Sequence, residues 1–143
     1  MAFDLGLSQA ANLAVHAGLL LAEESEGDGG RLTVAEMSES LSVSRSHLAK
    51  VLQRLAREGL VESCRGRAGG FRLARPAFDI SLMELVEAVD GPSLTGGCLL
   101  GDPVCRRGEC VLSNLVDEVG NRVIESLSEA TLMEFVCSQN EGA

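Results

Sequence analysis

The sequence of 143 residues predicts a mainly α-helical fold: a winged helix-turn-helix with a small two-stranded wing and a long C-terminal dimerisation helix. Three observations predict it. Two capped helices are separated by a three-residue turn, two short strands flank a glycine-rich turn, and a long apolar stripe of helical period follows near the C-terminus. Because there are only four Phe and no Trp or Tyr, the core must be aliphatic, which favours packing of helix on helix.

The first two helices can be placed from their capping residues. Ser8 can cap a helix that runs to about Glu24. Thr33 and Glu36 have the spacing of a capping box, in which each side chain accepts a hydrogen bond from the backbone N–H of the other residue. They are expected to start a short helix that ends near Leu41.

A third helix follows the short helix that ends near Leu41, after a turn at residues 42–44. Ser44 can cap it, it should run from Arg45 to Glu58, and Gly59 provides the left-handed residue that ends it. Its apolar side chains recur at helical spacing and should face the core: Leu48, Val51, Leu52 and Leu55. Two helices joined in this way form a helix-turn-helix.

The wing is predicted directly after this helix. Residues 60–64 alternate as a strand, residues 65–70 form a turn, and residues 71–74 return as a second strand. The tip of the wing then carries Arg65 and Arg67.

The C-terminal third combines a cysteine-rich segment with a long helix. Ser81 and Glu84 form a second capping box, which starts a helix to about Val89. The cysteine-rich segment follows over residues 93–110, and a long helix is expected over residues 111–126. Its apolar stripe is Val111, Leu112, Leu115, Val116, Val119, Val123, Ile124 and Leu127. This is more apolar surface than a small domain can cover, so dimerisation through the helix is expected.

These elements divide the chain into four parts. Residues 1–92 are expected to form the winged helix-turn-helix domain and residues 93–110 a cysteine-rich loop. Residues 111–137 should hold the dimerisation helix and a shorter C-terminal helix, and residues 138–143 a tail.

Charge is distributed unevenly along the chain. The net charge is −9, but residues 41–75 carry eight of the twelve basic residues against two acidic ones, so this segment is +6 and the remainder −15. A basic patch on an acidic body is typical of proteins that bind nucleic acid through one surface. The partner predicted for this segment is double-stranded DNA.

The base-reading residues are expected at the start of the second helix of the helix-turn-helix, which enters the major groove N-terminus first. They are Ser44, Arg45, Ser46 and His47. Arg45 is best suited to direct readout, because a guanidinium matches the two acceptors of guanine. His47 fits a solvent-exposed helix residue equally well.

Further basic residues are expected to contact the DNA backbone. Lys50 and Arg54 lie one and two turns further along the same helix and should hold phosphates. Arg65 and Arg67 at the wing tip are placed either to hold phosphates or to enter the minor groove.

Three cysteines lie in one glycine-rich segment, with six and then four residues between them: Cys98, Cys105 and Cys110. Thiolates bind iron–sulfur clusters and soft metals. Since no Cys-x-x-Cys pair is present, the spacing favours a cluster, and zinc stays open. A fourth ligand must come from a histidine, a carboxylate, a small molecule or a partner subunit. His16 is a candidate, although it also fits a partly buried, hydrogen-bonded histidine.

Other classes of protein are disfavoured. No stretch approaches the ~18 apolar residues of a membrane span, and no basic residue precedes the apolar segment at 13–22 as in a secretory signal. A cytoplasmic location is expected, where five cysteines, an odd number, favour metal or redox chemistry over disulfides. The isolated Cys64 and Cys137 should only pack. Neither a nucleophile–base pair nor a phosphate-binding glycine motif is present, so the protein is not expected to be an enzyme.

Two stretches carry a resemblance to a known family. They are VSRSHLAKVLQRLAREGLVESCRGRAGGFRLARP and the three-cysteine segment before the long helix. Both are similar to the winged-helix iron–sulfur regulators that include IscR and NsrR. The resemblance covers nearly the whole chain, and the Ser-Arg-Ser-His-Leu start of the recognition helix is closer to the NsrR branch.

The resemblance implies a homodimer in which the long helices cross and each cysteine segment packs near the first helix of the other subunit. It implies three loop ligands for a four-iron or two-iron cluster: Cys98, Cys105 and Cys110. One branch has a histidine three residues after the last cysteine, where this chain has Ser113, and the other has an acidic residue where this chain has Asn12. A related branch takes a histidine from about position 16. His16 of the partner subunit is therefore the preferred fourth ligand, and Asn12 the second.

The resulting hypothesis is a transcriptional regulator, expected to be a repressor, whose dimer binds a palindromic operator with half-sites about one helical turn apart. An iron–sulfur cluster that senses nitric oxide, oxidants or iron–sulfur status would control this binding. Two alternatives stay open: a thiol- or zinc-based redox switch without a cluster, and a winged helix that binds proteins instead of DNA.

Overall fold

The computed structural model describes residues 6–25, 30–67, 69–92 and 110–140. In chain order, the elements are α1 (Gln9–Ser25), α2 (Val34–Leu41), α3 (Arg45–Arg57), β1 (Val61–Cys64), β2 (Gly70–Leu73), a 3₁₀ helix (Ala77–Asp79), α4 (Leu82–Asp90), α5 (Ser113–Glu129) and α6 (Leu132–Asn140). The structure confirms the predicted mainly α winged helix-turn-helix with a two-stranded wing.

The helix starts follow the capping residues that the sequence indicates. The Ser8 hydroxyl accepts a hydrogen bond from the Ala11 N–H at 3.0 Å. Both predicted capping boxes are present, one at α2 and one at α4. The Ser44 hydroxyl accepts from the N–H of His47 at 3.2 Å, and Gly59 takes the left-handed conformation, with φ of 73°, after α3.

Helix α1 lies at the centre of the aliphatic core and contacts α2, α3, α4, α6 and β2. Small side chains on α1 permit this close packing: a Cβ at Gly18 would lie 3.0 Å from a methyl carbon of Leu85 and 3.4 Å from one of Leu132. The recognition helix α3 contacts both α1 and α4, and its four predicted core residues are all buried. The core therefore determines how α3 is presented at the surface.

The wing is tied to the body of the domain by a pairing that the sequence did not indicate. Strands β1 and β2 are antiparallel, with Val61 opposite Leu73. Leu32, just before α2, adds an isolated bridge to Phe71, in which N–H and carbonyl groups pair in both directions at 3.0 and 2.8 Å. This bridge fixes the wing against the helix-turn-helix.

The last helix belongs to the same core. Leu132 is fully buried and Val136 nearly so, and α6 packs against α1. Thr131 and Glu134 form a capping pair at the start of α6, with the Thr131 N–H donating to the Glu134 carboxylate at 2.9 Å. Helix α6 continues to Asn140, into the stretch where the sequence indicated a tail, because its apolar side is held by the core.

Helix α5 differs from the others because none of its residues is buried. Leu115 is 48% exposed, and Val111, just before the helix, is 96% exposed. The opposite side of the helix is polar and includes Asp117, Asn121 and Glu125. Within a single chain Val111 and Leu115 of the predicted apolar stripe are thus uncovered, and its other members are half-buried. In the part of the chain that the structure describes, no helix is long and apolar enough to cross a membrane.

Candidate nucleic-acid interface and metal-binding segment

The N-terminal turn of α3 presents four polar side chains to solvent: Ser44, Arg45, Ser46 and His47. The Ser44 hydroxyl is occupied in capping the helix, and it also lies 3.5 Å from the Ser46 hydroxyl. Ser44 is therefore first a structural residue. Arg45 and His47 are the longer exposed side chains of this turn and extend the reach of the helix.

Positive charge is available on α3 and at the wing tip. Arg45, Lys50, Arg65 and Arg67 are exposed, and none of them forms an ion pair with another residue that the structure describes. Exposed cationic groups without an ion-pair partner among the described residues provide the electrostatic attraction that a DNA backbone requires.

Two arginines of the basic segment have internal partners instead. Arg72 on β2 pairs with Glu62 on β1, and the hydrogen bond and negative charge of this carboxylate raise the pKa of Arg72. Arg75 pairs with Glu84 at the start of α4. These two residues hold elements of the domain together, so the count of basic residues in the sequence overstates the charge available for DNA.

Arg54 also has a partner within the protein. Its Nη1 atom donates a hydrogen bond to the backbone carbonyl of Val89 at 3.0 Å. This carbonyl lies in the last turn of α4, where a cation is favourable because unpaired carbonyl groups carry partial negative charge. The sequence predicted a phosphate contact for Arg54. That role stays a prediction, but one part of its guanidinium is used to join α3 to α4.

Only one of the three clustered cysteines lies within the described residues. Cys98 and Cys105 are outside them. Cys110 is exposed as a free thiol just before α5, and its carbonyl accepts hydrogen bonds from the N–H and the hydroxyl of Ser113 at 3.1 and 2.9 Å. Ser113 thus stabilises the start of α5. It occupies the position at which one branch of the family that this sequence resembles has a histidine.

The two isolated cysteines differ from each other. Cys64 is half-buried on β1, as a packing residue should be. Cys137 on α6 is exposed, so the prediction that it only packs is wrong. The helical period of α6 places Leu132 and Val136 on its buried side and leaves Cys137 on the solvent side.

Asn12 and His16 lie one turn apart on α1, and both are exposed. They line a groove of about 340 Å³ between α1 and the helix-turn-helix, together with Gln9, Leu13, Leu41, Val43 and His47. The alternative interpretation of His16 as a partly buried, hydrogen-bonded residue is wrong, because its imidazole faces this open groove.

The groove brings together the candidate fourth ligands and the recognition helix, which the sequence analysis considered as two separate sites. One side of it holds the candidate fourth ligands on α1, and the other holds His47 of the recognition helix. No group of three or more His, Cys, Asp or Glu side chains converges within the described ranges. Any metal site that uses Asn12 or His16 therefore requires ligands from elsewhere.

An exposed, positively charged helix in a helix-turn-helix, with a basic wing beside it, defines a DNA-binding protein of the winged helix-turn-helix class. Comparison with known proteins gives the family. The profile of the Rrf2 family, described as "Iron-dependent Transcriptional regulator", matches residues 7–138. The chain belongs to the Rrf2 family, and it is a DNA-binding transcriptional regulator and not an enzyme.

Individual relatives agree with this assignment. The chain is 34% identical over 134 residues to the HTH-type transcriptional regulator IscR of Escherichia coli, with 93% of this chain and 81% of the relative covered. It is 35% identical over 114 residues to an HTH-type transcriptional regulator of Haemophilus influenzae, covering 79% and 75% of the two chains. The solved structure of CymR, the global cysteine regulator of Bacillus subtilis, superposes with a TM-score of 0.74 at 20% identity and covers 92% of this chain and 95% of that one. At this identity the likeness to CymR concerns the fold.

Proposed function

We propose that this Rrf2 regulator binds a palindromic operator as a homodimer, and that an iron–sulfur cluster held by Cys98, Cys105 and Cys110 controls its affinity for DNA. The observation that carries the proposal is the presence of these three closely spaced thiols in a chain that is 34% identical to IscR over 93% of its length.

The dimer is supported by α5. Leu115 on this helix and Val111 just before it are exposed, while the other side of the helix is polar and charged, which is the pattern of a helix that packs against a second apolar surface. Two copies related by a two-fold axis would also present two recognition helices to the two half-sites of a palindrome.

The residues fit an iron–sulfur cluster by their chemistry. Cys110 is an exposed, free thiol, and thiolates are the usual ligands of such clusters. Cys98 and Cys105 would supply two further sulfurs, and the exposed imidazole of His16 of the partner subunit, or else Asn12, would complete the set. A bound cluster of four or two irons would supply a redox-active centre, suited to sensing nitric oxide, oxidants or iron–sulfur status.

The protein's own residues would transmit this state to DNA. His16 and Asn12 share a groove with His47, which lies in the first turn of the recognition helix. A ligand held at α1 would therefore lie beside the base-reading turn of α3. Repression is the expected outcome of operator binding.

The first experiment is an absorbance spectrum with iron and sulfide analysis of anaerobically purified protein. Visible bands with about four or about two irons per chain support the proposal and assign the cluster type. Substitution of Cys98, Cys105 and Cys110 by alanine should remove the iron and the response of DNA binding to oxidant. A triple variant that responds to oxidant as the wild type does would contradict the proposal.

The fourth ligand can be tested in the same assay. His16→Ala should lower the iron content or change the spectrum, whereas Gln9→Ala, which alters another polar residue of the same groove, should not. An effect of Asn12→Ala without one of His16→Ala would reverse the preference between them. A colourless protein after reconstitution, with zinc or a reversible disulfide instead, would favour the thiol- or zinc-based switch.

A further inference from the structure

The last turn of α4 holds the start of α1 through one carboxylate. The Ser8 N–H donates to the Asp90 carboxylate at 3.1 Å, and the Ser8 hydroxyl donates to the other oxygen of the same group. That hydroxyl also accepts the capping hydrogen bond from the Ala11 N–H. Asp90 therefore fixes the residue that begins α1, although the two lie 82 positions apart in the chain.

The same turn of α4 also holds the recognition helix. Val89, the neighbour of Asp90, accepts the hydrogen bond from Arg54 Nη1 on α3 at 3.0 Å, and Val89 is only 9% exposed. A hydrogen bond from a charged donor is stronger than one between neutral groups, and the planar guanidinium gives it a defined direction. Two adjacent residues thus connect α4 to α1 on one side and to α3 on the other.

The chain then leaves α4 towards the cysteine-rich segment. Gly91 closes the helix with φ of 80°, its N–H donating to the Glu87 carbonyl at 2.9 Å, and Pro92 follows. Cys98 is eight residues after Asp90 in the sequence. The Val89–Asp90 turn therefore lies at the N-terminal end of that segment, as Cys110 and α5 lie at its C-terminal end.

We propose that the Val89–Asp90 turn is the junction through which the state of the cysteine-rich segment changes the orientation of α3, with Arg54 and Asp90 as positioning residues. This inference rests on the proposed function, since it needs a regulatory state of that segment. Allosteric coupling requires an element whose arrangement both sites influence. The turn is a candidate for this element because it is hydrogen-bonded to α3 and to the start of α1 and directly precedes the segment.

A phosphate contact by Arg54 is the competing role, and salt dependence separates the two. Each phosphate contact contributes about one unit to the slope of log affinity against log salt concentration. A positioning residue does not contribute to that slope. Arg54→Met in cluster-free protein should therefore leave the slope unchanged. The matched control is Arg57→Met, which removes the same charge from an exposed position of the same helix.

Coupling is measured as the ratio of operator affinities of the cluster-loaded and cluster-free forms. Coupling between sites typically corresponds to roughly 5–150-fold, and we expect Arg54→Met and Asp90→Ala each to bring this ratio close to one. The controls Arg57→Met and Glu87→Ala should retain it. Circular dichroism of each variant checks that it is folded, and its iron content checks that the cluster is bound. If Arg54→Met fails to fold, Asp90→Ala still tests the proposal.

Each result decides between the possibilities. If both variants retain the affinity ratio of the wild type, the proposal that the Val89–Asp90 turn is the junction is wrong. It is also wrong if the salt slope falls by about one unit in Arg54→Met, because Arg54 would then be the phosphate contact that the sequence indicates. If the wild type itself shows no difference between the two forms, the proposed function fails, and the junction fails with it. A lost ratio with an unchanged slope and intact loading supports the junction.

Discussion

Gly70 packs directly against the backbone of Leu32: a Cβ at position 70 would lie 2.6 Å from the Leu32 carbonyl oxygen. That same oxygen accepts the hydrogen bond from the Phe71 N–H at 2.8 Å. The φ of Gly70 is 146°, which side chains disfavour. The attachment of the wing to the start of the helix-turn-helix therefore depends on the absence of a side chain at this position.

Gly70→Ala should destabilise the protein and weaken DNA binding, because the wing must shift to relieve the contact. The matched control is Gly66→Ala in the wing turn, where φ is 112° but nothing lies within 4 Å of the added carbon. That variant costs only the strained conformation, about 1–3 kcal/mol. Urea unfolding should show a larger loss for Gly70→Ala. Equal losses would mean that the Leu32 contact relaxes freely.

Arg45 and Lys50 should differ in what they contribute to DNA binding. We expect Arg45→Ala to cost about 1–3 kcal/mol on the operator and to relax specificity at one base pair. Lys50→Ala should weaken binding to all sequences and lower the salt slope by about one unit. Titrations at several salt concentrations measure both effects. Arg72→Ala is the control, because Arg72 is paired with Glu62; a loss as large as that of Arg45→Ala would contradict the assignment.

The local parts of the fold could be predicted from the sequence because their causes are local. The capping boxes at Thr33 and Ser81 and the cap at Ser44 each act within three residues, and all three begin helices as expected. The helical spacing of the apolar residues likewise predicted which side of α3 is buried. The bridge between Leu32 and Phe71 joins residues far apart in sequence, and no local pattern indicates it.

The functional residues were predictable as residue types but not as arrangements. The basic character of α3 and the wing is evident in the sequence, yet the partners of Arg54, Arg72 and Arg75 depend on tertiary packing. The burial of Leu132 likewise depends on α1. His16 could not be placed in one groove with His47 from the sequence, because no short-range pattern relates two different helices.

The apolar side of α5 should hold two chains together. Leu115→Glu places a charge on that side and should shift the protein towards monomer, with little loss of helix content because no residue of α5 is buried within one chain. Asn121→Glu, which adds the same charge on the polar side, should leave the dimer intact. Analytical ultracentrifugation measures the outcome, and a Leu115→Glu dimer as tight as the wild type would argue against this interface.

Glu84 should make the stability of the protein depend on pH in the acid range. Partial burial raises the pKa of Glu84, but the hydrogen bond from the Ser81 N–H and the Arg75 guanidinium outweigh this and lower the pKa below the usual 4.5. Folding thus favours the ionised form, so this contribution to the free energy of unfolding is complete above pH 4.5 and is lost as pH falls through the lowered pKa.

Glu84→Gln removes this titration while keeping a side chain that can serve the capping box. At neutral pH the variant should be less stable by roughly 0.2–1 kcal/mol, because the partly exposed pair with Arg75 is lost. The difference from the wild type should shrink as pH falls from 4.5 through the lowered pKa, since the wild-type carboxylate is then protonated as well. Urea midpoints at neutral pH and at a series of acid pH values measure this change. Glu87→Gln, a substitution at an exposed position of the same helix, controls for the loss of one negative charge. If the stability difference between Glu84→Gln and the wild type stayed constant with pH, the charge of this carboxylate would not be what stabilises the start of α4.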